Sequence, residues 1–119
     1  MEHVKDSSFV FVYGTLKKDR GNHRTMDRAR GRFIGEWKTD PVWTMYHLGG
    51  FPAIVPDGHT SIKGEVYEVD SLEPLDALEG YPNFYNRVLI DTQYGPAWVY
   101  FIPSESFKAN RNIIQSGEW

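Results

Sequence analysis

Residues 9–13, with the sequence FVFVY, form an uninterrupted run of β-branched and aromatic residues and constrain the fold of this 119-residue chain more than any other segment. β-Branched and aromatic residues favour extended backbone, and an unbroken run of them is typical of a short strand that is buried on both faces. The run is far too short to cross a bilayer as a helix. It therefore predicts a buried strand inside a folded core.

Short strand patterns recur along the rest of the chain and are separated by turn signals. Alternation of apolar and polar residues is clearest over residues 62–69. Pro56, Asp57 and Gly58 form a turn signal that is expected to end the strand before them. Strands are predicted over residues 9–13, 30–38, 42–47, 53–55, 62–69, 85–93 and 97–102.

Two short helices are predicted among these strands. Asn22 is expected to cap the first helix, over residues 23–29. Ser71 is expected to cap the second helix, over residues 71–79, and Gly80 lies just past its end.

The order of these elements predicts the fold class. No strand–helix–strand alternation runs along the chain, so a doubly wound parallel sheet is not expected. We predict an α+β fold that is mostly β, a single barrel-like domain with short flanking helices over residues 1–119. Residues 1–8 are expected to form a loose N-terminal arm, and the apolar tail, residues 113–119, to pack against the barrel.

Composition excludes several classes of function. The chain has no cysteine, which excludes disulfide scaffolds, thiol catalysis and thiol redox chemistry. Its four histidines lack metal-ligand spacing, so neither a metal nor another cofactor is expected. A net charge of −3 argues against nucleic acid as the partner. The N-terminus has no apolar signal region, so a cytoplasmic protein without a membrane partner is expected. The oligomeric state is left open.

One carboxylate of the second helix, that of Glu79, is predicted on the face that packs inward. With about 100° per residue, Leu72, Leu75 and Leu78 define the apolar face, and Glu79 falls between Leu72 and Leu75. Asp76 falls on the shoulder of that face. Burial and the C-terminal end of the helix dipole would both raise the pKa of Glu79, as a general acid or base near neutrality requires. The alternative is a structural ion pair between Glu79 and Arg87.

A second candidate site is the turn that follows the first strand, Tyr13-Gly14-Thr15-Leu16. Glycine permits a sharp turn or a close approach to a ligand, and successive backbone N–H groups in such a turn can bind an anion or an oxyanion. An ordinary strand-ending turn is the alternative. His23 could orient this loop or could be an exposed residue at the start of a helix.

Four segments, in order, resemble the γ-glutamylcyclotransferase-like superfamily, most closely its γ-glutamylaminecyclotransferase branch. They are residues 9–17 (FVFVYGTLK) with 21–23 (GNH), residues 64–70 (GEVYEVD), residues 75–82 (LDALEGYP) with 84–87 (FYNR), and residues 114–119 (IQSGEW). Glu118 stands where the family more usually has Asp, and Gly80-Tyr81 is bulky where that branch has small residues. Residues 37–61 resemble no segment of the family.

The resemblance implies a ligand pocket whose floor is the loop Tyr13, Gly14, Thr15 and Leu16. It places the catalytic Glu of the family on Glu79. Apart from the resemblance, Tyr85 and Tyr100 are candidates to line the pocket through their hydroxyls, and the alternative is that both are core residues of barrel strands. The implied partner is a small γ-glutamyl compound, and the implied reaction closes 5-oxoproline and releases an amine without metal or cofactor. A catalytically silent ligand-binding module on the same barrel is the alternative. The leaving group, an amino acid or an amine such as ε-linked lysine, stays open.

Overall fold

The structure, a computed structural model, describes residues 7–17, 21, 23–103 and 112–119. The order of elements is β1 (Ser8–Val12), α1 (His23–Arg28), β2 (Arg32–Lys38), β3 (Trp43–His47), β4 (Pro52–Thr60), β5 (Lys63–Val69), α2 (Glu73–Glu79), β6 (Asn86–Thr92), β7 (Gly95–Phe101) and β8 (Asn112–Ile113). Asn22, the predicted cap of the first helix, and residues 1–6 of the predicted arm lie outside the described residues. Ser8 belongs to β1.

The strands form two sheets. One has the order β2-β5-β1-β7-β6, and the other has the order β4-β3-β8. The two sheets meet where the Ile102 N–H donates to the Ile54 carbonyl at 3.0 Å. The predicted fold class, mostly β with short flanking helices, is confirmed, although the described strands do not close into a complete barrel. Neither described helix has the length or the apolar composition needed to cross a membrane.

Strand β1 is buried on both faces, as its unbroken apolar run predicts. Val10 and Val12 belong to a core cluster that includes Met26 of α1 and Leu75 of α2. Phe11 belongs to a second cluster between the two sheets. Successive side chains of a strand point to opposite faces, so β1 contributes to both cores and lies between its neighbours β5 and β7.

The predicted end of a strand at Pro56, Asp57 and Gly58 is wrong, because β4 continues through all three residues to Thr60. The register of β3 against β4 shifts here, since Trp43 pairs with Thr60 whereas Thr44 pairs with Val55. The extra residues of β4 bulge outward, and the Thr44 hydroxyl donates to the Asp57 carbonyl at 2.7 Å. A turn signal thus produces a β-bulge instead of a chain reversal.

The start of the second helix also differs from the prediction by two residues. Helix α2 begins at Glu73, and Leu72 occupies the capping position without a side-chain hydrogen bond. The Ser71 hydroxyl nevertheless accepts the Glu73 N–H at 3.1 Å. Gly80 ends the helix in the left-handed conformation, at φ 67°, as its position predicts.

The C-terminal tail packs on the body of the protein. The Ile114 N–H donates to the Met45 carbonyl at 2.8 Å, and the Lys63 N–H donates to the Gly117 carbonyl at 2.8 Å. The Trp119 ring lies 5.0 Å from the His47 ring, between centroids. Ile114 packs against the second core cluster, whereas half of Ile113 remains exposed.

Deletion of residues 113–119 is expected to lower the melting temperature by about 5 °C or more, since it removes the backbone hydrogen bonds to Met45 and Lys63, the strand pairing of Ile113 with Tyr46, and the burial of Ile114. Thermal unfolding followed by circular dichroism measures the effect. Gln115→Ala, at an exposed position of the same tail, is the control and should leave the melting temperature unchanged. An unchanged curve for the deletion would show that the tail adds nothing to the stability of the body.

Candidate active site

A cavity of about 260 Å³ opens beside the end of β1, between the start of β4, the end of α2 and strand β7. Its floor is the turn after β1, and the carboxylate of Glu79 lies in its wall. All seven of the predicted site residues line it: Tyr13, Gly14, Thr15, Leu16, Glu79, Tyr85 and Tyr100. The other lining residues are Phe11, Val12, Gly50, Phe51, Pro52, Leu78 and Phe84.

Close packing holds the turn after β1 against β4. A Cβ on Gly14 would lie 2.8 Å from Cγ of Pro52, closer than side chains tolerate, so glycine is required for this approach. The Lys17 N–H donates to the Gly14 carbonyl at 3.1 Å and closes the turn. Its backbone therefore reaches the floor of the cavity in a fixed conformation.

His23 holds the other side of this turn. Its Nδ1 lies 2.9 Å from the Leu16 carbonyl oxygen. A carbonyl only accepts hydrogen bonds, so Nδ1 carries the proton and donates it. His23 is half-buried and its ring packs against Tyr67, with centroids 5.8 Å apart. The sequence left two alternatives for His23, an exposed residue at the start of a helix or a residue that orients the loop. The structure shows a half-buried His23 in contact with the loop.

Helix α2 brings Glu79 to the cavity. Leu75 is fully buried and anchors the helix to the core, which turns the last helical residue toward the cavity. Burial raises the pKa of Glu79 from 4.5 to about 7. The carboxyl group can therefore both accept and release a proton near neutral pH.

Left-handed Gly80 reverses the chain so that the next segment returns to the same cavity. The Phe84 N–H donates to the Gly80 carbonyl at 2.7 Å, and the Tyr85 N–H donates to the Glu79 carbonyl at 3.3 Å. Phe84 and Tyr85 consequently line the cavity beside Glu79.

Three tyrosines build the inner wall, and each donates its hydroxyl hydrogen to a protein acceptor. Tyr13 donates to the Tyr100 carbonyl at 2.8 Å. Tyr85 donates to the Pro52 carbonyl at 2.6 Å, and Tyr100 donates to Oδ1 of Asp76 at 2.6 Å. Burial is the main cause that raises the pKa of each phenol above its ordinary value. Asp76 adds to this effect at Tyr100, Tyr85 adds to it at Tyr13, and Glu79 adds to it at all three. The three phenols remain neutral donors that fix the shape of the wall.

Arg87 pairs with Asp76, not with Glu79. Its Nε lies 3.0 Å from Oδ1 of Asp76, and its Nη2 donates to Oδ2 at 3.3 Å. The guanidinium carbon lies 4.3 Å from the ring centroid of Tyr81 and 4.5 Å from that of Trp98. Asp76 therefore points inward and joins Arg87 to Tyr100, whereas the helical wheel places it on the shoulder of the face.

Metal-binding side chains do not converge in the described part of the chain. No three His, Cys, Asp or Glu residues there are arranged to hold a metal ion. The cavity offers the Glu79 carboxylate, phenols and backbone groups instead. These groups suit proton transfer and the binding of a polar small molecule.

Comparison with known proteins assigns the family. Residues 10–119 match the family model described as "Gamma-glutamyl cyclotransferase, AIG2-like". The chain belongs to this family. The γ-glutamylcyclotransferase family protein YtfP of Escherichia coli K12 is 39% identical over 92% of this chain and 94% of its own length. The expected membership of the γ-glutamylcyclotransferase-like superfamily is confirmed.

Solved structures of the γ-glutamylcyclotransferase family share this fold. The solution structure of ytfP from Escherichia coli matches with a TM-score of 0.71 and 36% identity, over 93% of this chain and 95% of that chain. The crystal structure of an AIG2-like protein from Mus musculus matches with a TM-score of 0.71 and 28% identity, over 81% of this chain and 77% of that chain.

Sequence reasoning missed several residues of the cavity lining, among them Phe51, Pro52 and Phe84. Phe51 and Pro52 come from a loop and strand within residues 37–61, the segment without a family resemblance, and Phe84 follows the turn after α2. Two adjacent glycines, Gly49 and Gly50, favour a loop here, but they do not indicate which residues the loop packs against.

Proposed function

We propose that this chain is a cyclotransferase for a γ-glutamyl compound and that Glu79 is its general base and acid. The observation that carries the proposal is a carboxyl group with a pKa raised to about 7, in a cavity whose floor is the tightly packed turn after β1. A general base works best when its pKa lies near the operating pH. Membership of the family supports the same activity.

In the proposed reaction the substrate supplies its own nucleophile. The α-amine nitrogen attacks the γ-carbonyl carbon of the same glutamyl group and closes a five-membered lactam, 5-oxoproline. Attack within one molecule saves the entropy of bringing two reactants together, so no covalent enzyme intermediate is needed. The bond between the γ-carbon and the leaving nitrogen then breaks.

Glu79 moves the proton between the two nitrogens. Its carboxylate takes a proton from the attacking α-amine and then delivers it to the leaving nitrogen, so that a neutral amine departs and Glu79 is again ionised. One group thus serves first as base and then as acid. No net proton is gained or lost in the cycle.

The turn after β1 is the proposed binding site for the developing oxyanion. Backbone N–H groups of Gly14, Thr15 and Leu16 are the proposed donors, and the contacts of the turn with Pro52 and His23 hold it in place before substrate arrives. Donors that need no reorganisation stabilise charge in the transition state more than in the ground state.

The direct test is incubation with a panel of γ-glutamyl compounds, both dipeptides and amides, followed by measurement of 5-oxoproline. Release of 5-oxoproline with an equal amount of free amine supports the proposal. Binding of these compounds without any product would instead indicate the silent ligand-binding module.

The pH profile of kcat/KM is expected to rise through about pH 7 and to level off above it. The raised pKa of Glu79 means that the carboxyl is protonated, and inactive as a base, below about 7. Initial rates at low substrate concentration between pH 5 and 9 give the profile of the free enzyme. An acid limb near pH 4.5, the ordinary value for Glu, would contradict the assignment.

Turnover is expected to continue in an excess of a strong chelator. The nucleophile is tethered and the proposed proton carrier is Glu79, so the reaction as proposed needs no Lewis acid. The measurement is 5-oxoproline release with and without EDTA. Loss of turnover that zinc or magnesium restores would contradict the mechanism.

A further inference from the structure

The turn after β1 ends at Lys17, a buried lysine. The Lys17 N–H closes the turn on the Gly14 carbonyl, so Lys17 is the last residue of the segment that carries the proposed oxyanion donors. Lys17 is only 7% exposed, and no other charged residue in the part of the chain that the structure describes is buried so deeply. A buried ammonium costs free energy unless acceptors surround it. Burial of this ammonium at the end of the turn therefore requires an acceptor nearby.

A main-chain oxygen of the C-terminal tail accepts a hydrogen bond from this ammonium. Nζ of Lys17 lies 3.3 Å from the Trp119 carbonyl oxygen, 102 positions further along the chain. The ammonium is the donor, because a carbonyl only accepts, and a charged donor makes a stronger hydrogen bond than a neutral one. The side chain of Lys17 thus joins the turn after β1 to the tail.

The tail is itself fixed to the sheets at this point. The Gly117 carbonyl accepts the Lys63 N–H at 2.8 Å, and a Cβ on Gly117 would overlap the carbonyl oxygen of Ser61. The Trp119 ring packs against the ring of His47 in β3, with centroids 5.0 Å apart. The acceptor of the ammonium is therefore held by β3 and by the start of β5.

Contacts from other elements hold the earlier residues of the turn. Pro52 of β4 lies against Gly14, and His23 of α1 donates to the Leu16 carbonyl. The bond to the tail adds a contact for Lys17, the residue that closes the turn. Donors that are fixed before substrate arrives stabilise the developing charge without reorganisation. Each contact that fixes the turn therefore bears on the rate of the reaction.

We propose that Lys17 is a positioning residue for the oxyanion donors of the turn and that it acts through its bond with the C-terminal tail. The inference rests on the proposed function, which assigns the donors to the turn, and it adds the tail to the elements that set their position. Lys17 lines a separate polar cleft, together with Trp37 and Glu118, and not the cavity of Glu79. Lys17 therefore acts on the reaction through the backbone of the turn and not by contact with the substrate.

Lys17→Met tests the donor side of this bond, because it removes the ammonium and keeps a long side chain. We expect kcat for 5-oxoproline release to fall by about tenfold to a hundredfold, with a smaller change in KM, since oxyanion donors act mainly in the transition state. The melting temperature should change by less than about 5 °C, because the cost of burying the ammonium is lost together with its bond. Lys17→Arg restores a charged donor and should recover most of the turnover.

Deletion of Trp119 tests the acceptor side of the same bond. The deletion should lower kcat in the parent, but it should change kcat by less than about twofold in the Lys17→Met background, because the bond is already absent there. Lys63→Met is the matched control, since Lys63 pairs with Glu118 of the same tail and half of its side chain is exposed. It should leave kcat unchanged. Melting curves show which variants are folded.

The pH profile separates positioning of the turn from a general loosening of the cavity. Burial raises the pKa of Glu79 from 4.5 to about 7, so entry of water would move the acid limb of kcat/KM back toward 4.5. Loss of the bond between Lys17 and the tail should leave this limb near pH 7 while the rate on the plateau falls.

The outcomes separate this inference from the proposed function. Unchanged kcat in folded Lys17→Met, or in the folded Trp119 deletion, overturns the inference while the cyclotransferase activity of the parent stands. Independent effects of the two changes, or an acid limb that moves toward 4.5, also overturn it. Absence of 5-oxoproline from the parent with every γ-glutamyl compound of the panel overturns the proposed function, and this inference with it.

Discussion

Glu79→Gln is expected to lower turnover by about a hundredfold to ten-thousandfold, the usual contribution of a positioned general acid or base. Glutamine keeps the size of the side chain but cannot take the proton from the attacking amine. Substrate binding should change little, because the turn after β1 is proposed to hold the glutamyl group. Steady-state assays of 5-oxoproline release and a binding titration with substrate measure the two effects separately.

Glu79→Gln should lower turnover but raise the free energy of unfolding, and the size of this gain in stability depends on pH. The folded pKa of about 7 lies above the ordinary value of 4.5, so folding favours the protonated form. This contribution to stability is fully present below about pH 4.5 and is lost as the pH rises through about 7. The variant should therefore match the parent at pH 4 and exceed it at pH 8, by about 1–3 kcal/mol.

Glu73→Gln is the matched control for this experiment, because Glu73 lies on the same helix and is exposed to solvent. Asp76→Asn, which the helical wheel would favour as a control, is unsuitable because Asp76 binds both Arg87 and Tyr100. Near-normal 5-oxoproline release by Glu79→Gln would remove Glu79 from the mechanism. If Glu79→Gln loses activity only because it unfolds, the role of Glu79 is structural.

Asp76→Ala is expected to cost about 2–4 kcal/mol of the free energy of unfolding. It leaves the Arg87 guanidinium between Tyr81 and Trp98 without its carboxylate, and it leaves the Tyr100 hydroxyl without its acceptor. The side chains of Asp76 and Arg87 are only 22% and 17% exposed, so water replaces the lost partner poorly. Urea unfolding at neutral pH measures the loss.

A second ion pair of the chain provides the comparison. Lys63 and Glu118 lie 3.9 Å apart, and both side chains are at least half exposed. Exposed pairs of this kind contribute little, so Glu118→Ala should change stability by less than about 0.5 kcal/mol. Equal effects of Glu118→Ala and Asp76→Ala would show that burial of the Asp76–Arg87 pair is not what makes it stabilising.

The sequence patterns were sufficient to predict the site residues whose positions depend on a single helix or strand. The helical period placed Glu79 on the inward side of α2, and the structure brings it to the cavity. The same period could not place Asp76 correctly, because its inward position depends on Arg87 of β6 and Tyr100 of β7. A helical wheel describes one helix alone, so it cannot predict the contacts of α2 with these two strands.

The bulge in β4 and the contact between Phe51 and Phe84 could also not be predicted from the sequence, because both depend on contacts between separate segments of the chain. Pro56, Asp57 and Gly58 favour a turn locally, but pairing with β3 on both sides of them keeps the chain in one strand. Phe51 and Phe84 lie in two loops whose backbones give no periodic signal. Only the packing of these loops brings the two rings together.

The position of β1 has a consequence for the order of events in folding. Val10 of β1 pairs with Tyr67 of β5 on one side and with Trp98 of β7 on the other, so both ladders close long loops of chain. Contacts between residues so distant in sequence slow folding, because loop closure costs entropy before the contacts are gained. Residues of β1, β4, α2 and β7 together line the cavity. Recovery of activity during refolding should therefore coincide with the last global phase, and no early fragment or compact intermediate should turn over substrate.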